Sequence, residues 1–246
     1  MEVNSARYVA DVTEGTVQLD DAVAVDRIEF FFDPMCPWAY QTSVWIREVR
    51  RLTGLEISWR FFSLEEINHV EGKKHAWERE WTFGFSQMRV GALLRRRDQA
   101  EVDRWYEEIG RAFHVDGVRT HDRAVHAELL EQLGWEAGLV DAALADPTTA
   151  DEVRSDHDFV TVEKAAWGVP TLVFPDGQAL FGPVVAPAVL GADAARLWDL
   201  VIGWTEFPHL YELQRPKRGD DLRQIATTFR PYLEARSWKS VANPTP

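Results

Sequence analysis

A single cysteine, Cys36, stands among 246 residues. It follows the apolar run Arg27-Ile-Glu-Phe-Phe-Phe-Asp33 and is bracketed by Pro34 and Pro37. Such a run reads as a largely buried strand, and proline suits the first turn of a helix. Cys36 therefore falls at a strand-to-helix junction, where unpaired N–H groups and the positive end of the helix dipole face the side chain. A thiolate is stabilised there and its pKa lowered, the condition for nucleophilic thiol chemistry. The competing reading is a small buried hydrophobe, the commonest role of a lone cysteine. The stiff proline-flanked turn at the carboxyl end of a strand favours the reactive role. One cysteine also excludes an internal disulfide, a Cys-based zinc site and a Cys-x-x-Cys redox pair.

Few other side chains compete. Asp33 reads as a turn or capping residue ahead of a proton relay. His121 and His126 are five apart, which does not set them on one helical face. His69, His75, His114 and His157 show no ligand spacing, so no metal site is expected. His209 is a candidate to approach the cysteine, and Arg95-Arg-Arg97 reads as a solvated helix face or, alternatively, a contact for an anionic thiol. Trp77, Trp81, Phe85 and Met88 read as packing, with a cleft facing Cys36 as the alternative. No glycine-rich dinucleotide fingerprint follows the first strand.

These residues need a frame. Trp45, Val49 and Leu52 recur at helical spacing from Pro37 to Gly54, and Leu55-Glu-Ile-Ser-Trp-Arg-Phe-Phe62 supplies a second strand. Strand, helix and strand in so short a stretch make a βαβ unit with a parallel pair. Lys74 to Ile109 then reads helical, with Trp77, Trp81, Phe85, Met88 and Ala92 on one face. Further helices are expected at Arg123–Leu133, at Ala137–Leu144, and at Thr149–Ala166, the last entered through Thr148-Thr149. Val169-Pro-Thr-Leu-Val-Phe174, the turn Pro175-Asp-Gly177 and Gln178–Phe181 read as a hairpin. Asp193–Ile202 predicts a helix with Leu197, Leu200 and Val201 facing the core, and Leu222–Leu233 one helix interrupted by Pro231. Residues 1–24 carry five acids against Arg7 and read as an extension, with a short edge strand around Tyr8 to Val12. Asn243-Pro-Thr-Pro246 reads as a frayed end.

Composition narrows the class. Hydrophobic residues make up 46% of the chain, enough to bury a core and to exclude wholesale disorder. Asp plus Glu outnumber Lys plus Arg by 40 to 27, and the resulting charge of -13 disfavours nucleic acid and anionic membrane. No apolar stretch approaches the roughly 20 residues of a membrane span. The first residues, MEVNSARYVADVTEG, lack the basic and apolar regions of a secretory signal. The expectation is a cytoplasmic protein without nucleic-acid or membrane partners, and an exposed apolar patch in so Trp-rich a chain would fit a homodimer.

The segment Phe30-Phe-Phe-Asp-Pro-Met-Cys-Pro-Trp-Ala-Tyr40 resembles the active-site region of the thioredoxin-like disulfide-oxidoreductase A (DsbA) family, whose motif is Cys-Pro-Trp-Cys in many members. Gly168-Val-Pro-Thr171 resembles that family's cis-proline loop. Closer still is the resemblance to the actinobacterial mycothiol-dependent nitroreductase subgroup. It rests on Phe32-Asp-Pro-Met-Cys-Pro-Trp38, Phe181-Gly-Pro-Val184, Leu197-Trp-Asp199 and Pro208-His-Leu-Tyr-Glu-Leu213. The resemblance covers most of residues 26–215 and leaves the tail beyond about residue 219 outside. It implies an α/β, thioredoxin-like fold with an inserted all-helical subdomain. The expected divisions are an N-terminal extension (1–24), a first thioredoxin-like half (25–64), a helical insertion (65–167), a second half (168–214) and a C-terminal extension (215–246).

One departure bears on mechanism: Ala39 stands where many relatives carry the second cysteine. A dithiol enzyme resolves its mixed disulfide with its own second thiol, and this chain cannot. The resemblance therefore implies mycothiol or glutathione as cosubstrate, and no tightly bound cofactor. It implies Cys36 as the catalytic nucleophile, with Pro37 and Trp38 shaping the surface around the sulfur. It also implies that the Val169 backbone, presented by a cis Pro170, pairs with a peptide-like thiol substrate. The expected function is a thiol-dependent oxidoreductase reducing a disulfide or a nitro- or quinone-like aromatic. Two alternatives stand beside it: a kappa-type thiol transferase or isomerase, and a non-catalytic thioredoxin-like binding protein.

Overall fold

Alternation along β1 (Arg27–Phe32) sends Ile28, Phe30 and Phe32 into the main core and Phe31 to the opposite face, into the cluster that holds Cys36. The structure is a computed structural model that describes residues 25–236. The expected edge strand around Tyr8 to Val12, the rest of the N-terminal extension and the end Asn243–Pro246 lie outside the described residues.

Pro37 opens α1 (Pro37–Thr53), and Gly54 closes it in the left-handed conformation at φ 80°, its N–H donating to the Arg50 carbonyl. β2 (Glu56–Phe61) then pairs with β1 in parallel, Arg27 opposite Glu56 and Phe32 opposite Phe61. The expected βαβ unit is in place. β3 (Thr171–Val173) takes the other edge of β1 antiparallel, and β4 (Ala179–Phe181) pairs with β3 across the Pro175–Gly177 turn. The sheet order is β2-β1-β3-β4. This is the thioredoxin-like α/β arrangement.

Between β2 and β3 the described chain contains helices and no strand: α2 (Leu64–Ile67), α3 (Gly84–Arg95), α4 (Gln99–His114), α5 (Arg123–Gln132), α6 (Leu139–Ala145) and α7 (Pro147–Asp158). The continuous helix expected over Lys74–Ile109 is instead a 3-10 turn at Ala76–Glu78 followed by α3 and α4. Trp77 and Trp81 lie off any helical stripe. Trp77 stacks on the His75 ring at 4.4 Å, and Trp81 Nε1 donates to the His121 carbonyl at 2.8 Å. The chain breaks before α4 because Asp98 caps it, accepting the Ala100 N–H at 2.8 Å. Asp146, not Thr148 or Thr149, caps α7, since its carboxylate accepts the Thr148 N–H at 2.9 Å. α7 runs into a π-helical turn, Phe159–Glu163, and stops short of Ala165, whose φ is 55°.

The inserted helices are tied to the sheet by buried charge. Asp156 of α7 accepts from the Phe61 N–H at 3.1 Å and from Arg60 Nε at 2.8 Å, and it pairs with Arg95 of α3. Of the three arginines read as a solvated face, only Arg95 is drawn into this cluster; Arg96 and Arg97 are exposed, Arg96 pairing with Asp146 and Glu152 and Arg97 with Glu101.

α8 (Ala192–Thr205) packs Leu197, Trp198 and Val201 against the main core. Leu200, expected inside, is 71% exposed, because the buried stripe is set by Ala194 and Trp198. The single helix expected over Leu222–Leu233 is two, α9 (Gly219–Thr228) and α10 (Arg230–Ala235). They are broken at Phe229, and Pro231 sits in the first turn of the second.

Candidate active site

The carboxyl ends of β1 and β2 meet at Asp33. Its buried carboxylate accepts the Met35 N–H at 2.9 Å, within the turn before α1, and the Leu64 N–H at 2.7 Å, just past β2. One side chain therefore holds both post-strand loops. Burial pushes the Asp33 carboxyl up to about 7, outweighing the two N–H groups that favour its ionised form.

Cys36 caps α1. Its backbone is extended (φ -85°, ψ 112°), Sγ accepts the Ala39 N–H at 3.4 Å, and the thiol donates to the Val169 carbonyl at 3.6 Å. The antiparallel register that sets Phe31 opposite Thr171 carries Val169 alongside the β1–α1 turn. The Val169–Pro170 peptide is cis, and the Pro170 carbonyl accepts the Gly182 N–H at 2.9 Å. Pro37 is the first residue of α1, and Trp38, half-buried, packs against the cluster containing Cys36, Ala39 and Val169. The structure thus gathers Cys36, Pro37, Trp38, Val169 and the Pro170 peptide at one end of the sheet. Ala39 is fully buried, its methyl in the same cluster.

The expected lowering of the thiol pKa is overturned. Cys36 is 7% exposed, and burial pushes its thiol up to about 12. The Ala39 and Trp38 N–H groups oppose that rise without cancelling it, and the nearby Asp33 charge adds to it. The helix end is present, but the cost of desolvating a thiolate exceeds what its N–H groups return.

Three aromatic residues that the sequence reading did not place here complete the surroundings. His114 of α4 lies with Nε2 2.8 Å from the Pro34 carbonyl, in the loop that carries Cys36, and its ring stacks on Tyr40 at 5.0 Å. Burial pushes the His114 imidazole down to about 4, so it is neutral at pH 7, and Nε2 carries the proton because a carbonyl only accepts. Phe229 meets Trp38 edge-on at 4.7 Å, and Tyr232 flanks His114 at 5.3 Å. Both belong to the C-terminal segment, where two aromatics in a charged stretch were the only available signal. By contrast, Trp77, Phe85 and Met88 pack in the main core and Trp81 in that of the insert, none in the Cys36 cluster. His209 is exposed.

A cysteine capping the first helix of this sheet, beside an X-Pro loop and with helices inserted between β2 and β3, defines a thioredoxin-like protein with a helical insertion. The chain belongs to the Rv2466c-like family, described as mycothiol-dependent nitroreductase Rv2466c, whose family model matches residues 35–215. It is 55% identical over 214 residues to the uncharacterized protein Rv2286c of Mycobacterium tuberculosis, across 87% of this chain and 92% of that one. Among solved structures, a 2-hydroxychromene-2-carboxylate isomerase aligns with a TM-score of 0.53 at 15% identity, over 73% of this chain and 95% of that chain. The cytosolic disulfide reductase DsbM from Pseudomonas aeruginosa, solved with GSH, aligns with a TM-score of 0.52 at 18% identity, over 72% and 99%. At such identities these two likenesses show the fold. Among the described residues no helix is long and apolar enough to cross a membrane.

Proposed function

We propose that the protein is a thiol-dependent oxidoreductase that works through Cys36 and a low-molecular-weight thiol to reduce a disulfide or a nitro- or quinone-like aromatic. The observation that carries this reading is Cys36 at the cap of α1, with Ala39 in the resolving position and the Val169–Pro170 loop against the sulfur. Membership in a family described as mycothiol-dependent supports mycothiol as the cosubstrate, with glutathione as its counterpart elsewhere.

Cys36 is the nucleophile. Its sulfur attacks one sulfur of a disulfide, forms Cys36–S–S–R, and expels the other as a thiolate that takes up the proton Cys36 gave up. A second small thiol then attacks the R sulfur, leaving as a new disulfide and returning Cys36 to its reduced form. With a quinone-like acceptor, two small thiols are oxidised to one disulfide while the acceptor gains two electrons and two protons. Pro37 and Trp38 form an apolar wall beside the sulfur, and the Val169 backbone next to Pro170 offers strand-like hydrogen bonds to a peptide-like thiol.

One observation favours a second reading, kappa-type transfer or isomerisation. With its thiol pushed up to about 12 and donating to the Val169 carbonyl, Cys36 is also placed to act as a hydrogen-bond donor to the sulfur of a bound thiol. Turnover of Cys36→Ser with reduced small thiol and an aromatic acceptor separates the two. Loss of turnover supports the redox reading, and turnover retained in the serine variant supports transfer.

A further inference from the structure

The family match ends at residue 215, yet the chain beyond it returns to the active site. Phe229, at the junction of α9 and α10, is buried to 7% exposure with its ring edge-on to Trp38 at 4.7 Å. Tyr232 of α10 meets Phe113 at 5.1 Å and His114 at 5.3 Å, and His114 is the residue bonded to the Pro34 carbonyl ahead of Cys36. The Pro231 carbonyl lies 3.6 Å from where a Cβ on Gly117 would stand, so α10 lies close against the loop leaving α4. Burial, ahead of the other influences on it, holds the Tyr232 phenol above its ordinary pKa.

The attachment is narrow. Along α9 no residue is buried, and on α10 only Ala235 is. The stretch from residue 206 to 218 that leads into α9 is exposed throughout, and residues 211–218 have no regular hydrogen-bonded structure. A helical pair held by a few aromatic contacts and fed by an exposed tether belongs to the class of elements that open locally at low cost.

We propose that α9–α10 is a cap that sets specificity by size: Phe229 and Tyr232 close the approach to Cys36 to macromolecular disulfides while local opening admits a small thiol or flat aromatic. This rests on the redox reading for its substrate classes. The screening itself is a property of access and can be measured without turnover.

The single cysteine makes the test direct, because all thiol labelling reports Cys36. The native full chain and the double variant Phe229→Ala/Tyr232→Ala are labelled with N-ethylmaleimide and with a maleimide carrying a long polyethylene glycol chain. Each rate is divided by the rate of the same reagent on the denatured chain, so the reacting group is identical and only bulk differs. The cap predicts that in the native chain the bulky reagent is slowed at least about tenfold more than the small one. It predicts that the double variant removes most of that difference. Equal protection against both reagents in the native chain overturns the proposal, as does a folded double variant that leaves the difference unchanged. Should the double variant lose its cooperative melt, the native ratio decides alone. Size screening without a mixed disulfide would retain the cap and remove the redox reading, and a mixed disulfide without screening would do the reverse.

Discussion

The sulfur of Cys36 lies 3.4 Å from the backbone nitrogen of Ala39, whose fully buried side chain packs in the same apolar cluster. The position at which the resemblance implies a second thiol is therefore next to the sulfur and filled by a methyl group. Ala39→Cys should allow an internal disulfide to close, because the helix already brings the two positions together. Mild oxidation should remove two hydrogens from the variant's mass and abolish accumulation of any small-thiol adduct. A variant that keeps both thiols free and still accumulates the adduct would show that the geometry is unsuited to self-resolution.

Asp33 sets a pH dependence whose sign follows from its burial. Its native pKa of about 7 lies above the ordinary 3.8, so the folded chain binds the proton more tightly than the unfolded one. The stability this contributes is complete below about pH 4 and is lost as the pH rises to about 7, on the order of 4 kcal/mol. Asp33→Asn cannot ionise, but its amide nitrogen faces one of the two N–H donors, at a cost of about 1–3 kcal/mol. Denaturant melts should show the native chain's advantage over the variant shrinking or reversing between about pH 5 and pH 8. A difference that stays constant across that range would contradict the buried, protonatable Asp33.

The charge cluster at Asp156 predicts a stability effect away from the thiol. Its buried carboxylate is the shared acceptor for Arg60, Arg95 and the Phe61 N–H. Asp156→Ala leaves two partly buried guanidinium groups and a strand N–H without it, and should cost about 3–5 kcal/mol. The change should appear in the midpoint of a urea melt. A loss below about 1 kcal/mol would mean that the cluster is a surface-like ion pair of little net worth.

Much of this was legible in the sequence, and the remainder was hidden for physical reasons. The phenylalanine run, Pro37 and Gly54 carry local signals for a strand, a helix start and a left-handed stop, and these are what place Cys36. The lone cysteine beside Ala39 likewise supplies the proposal of an external thiol. The titration of Cys36 was not legible, because the helix end is a local feature whereas desolvation depends on Phe31, Phe62, Val160 and Val169 folding around the sulfur. Nor was the role of Phe229 and Tyr232. An amphipathic segment shows that one face will be covered, not which distant surface will cover it. Trp77 and Trp81 misled because their spacing fits a helix, whereas Trp77 sits in a single 3-10 turn, stacked on His75, and Trp81 in irregular chain, bonded to the His121 carbonyl.

The central claim is that Cys36 exchanges with a small thiol and depends on another to be released. Intact mass spectrometry of the full chain after exposure to an oxidised low-molecular-weight thiol, such as mycothiol disulfide, tests it most directly. The account predicts one adduct on the native chain, none on Cys36→Ser, and complete release when the reduced thiol is added. A native chain that remains unmodified at neutral and alkaline pH, while its folded state persists, would contradict it.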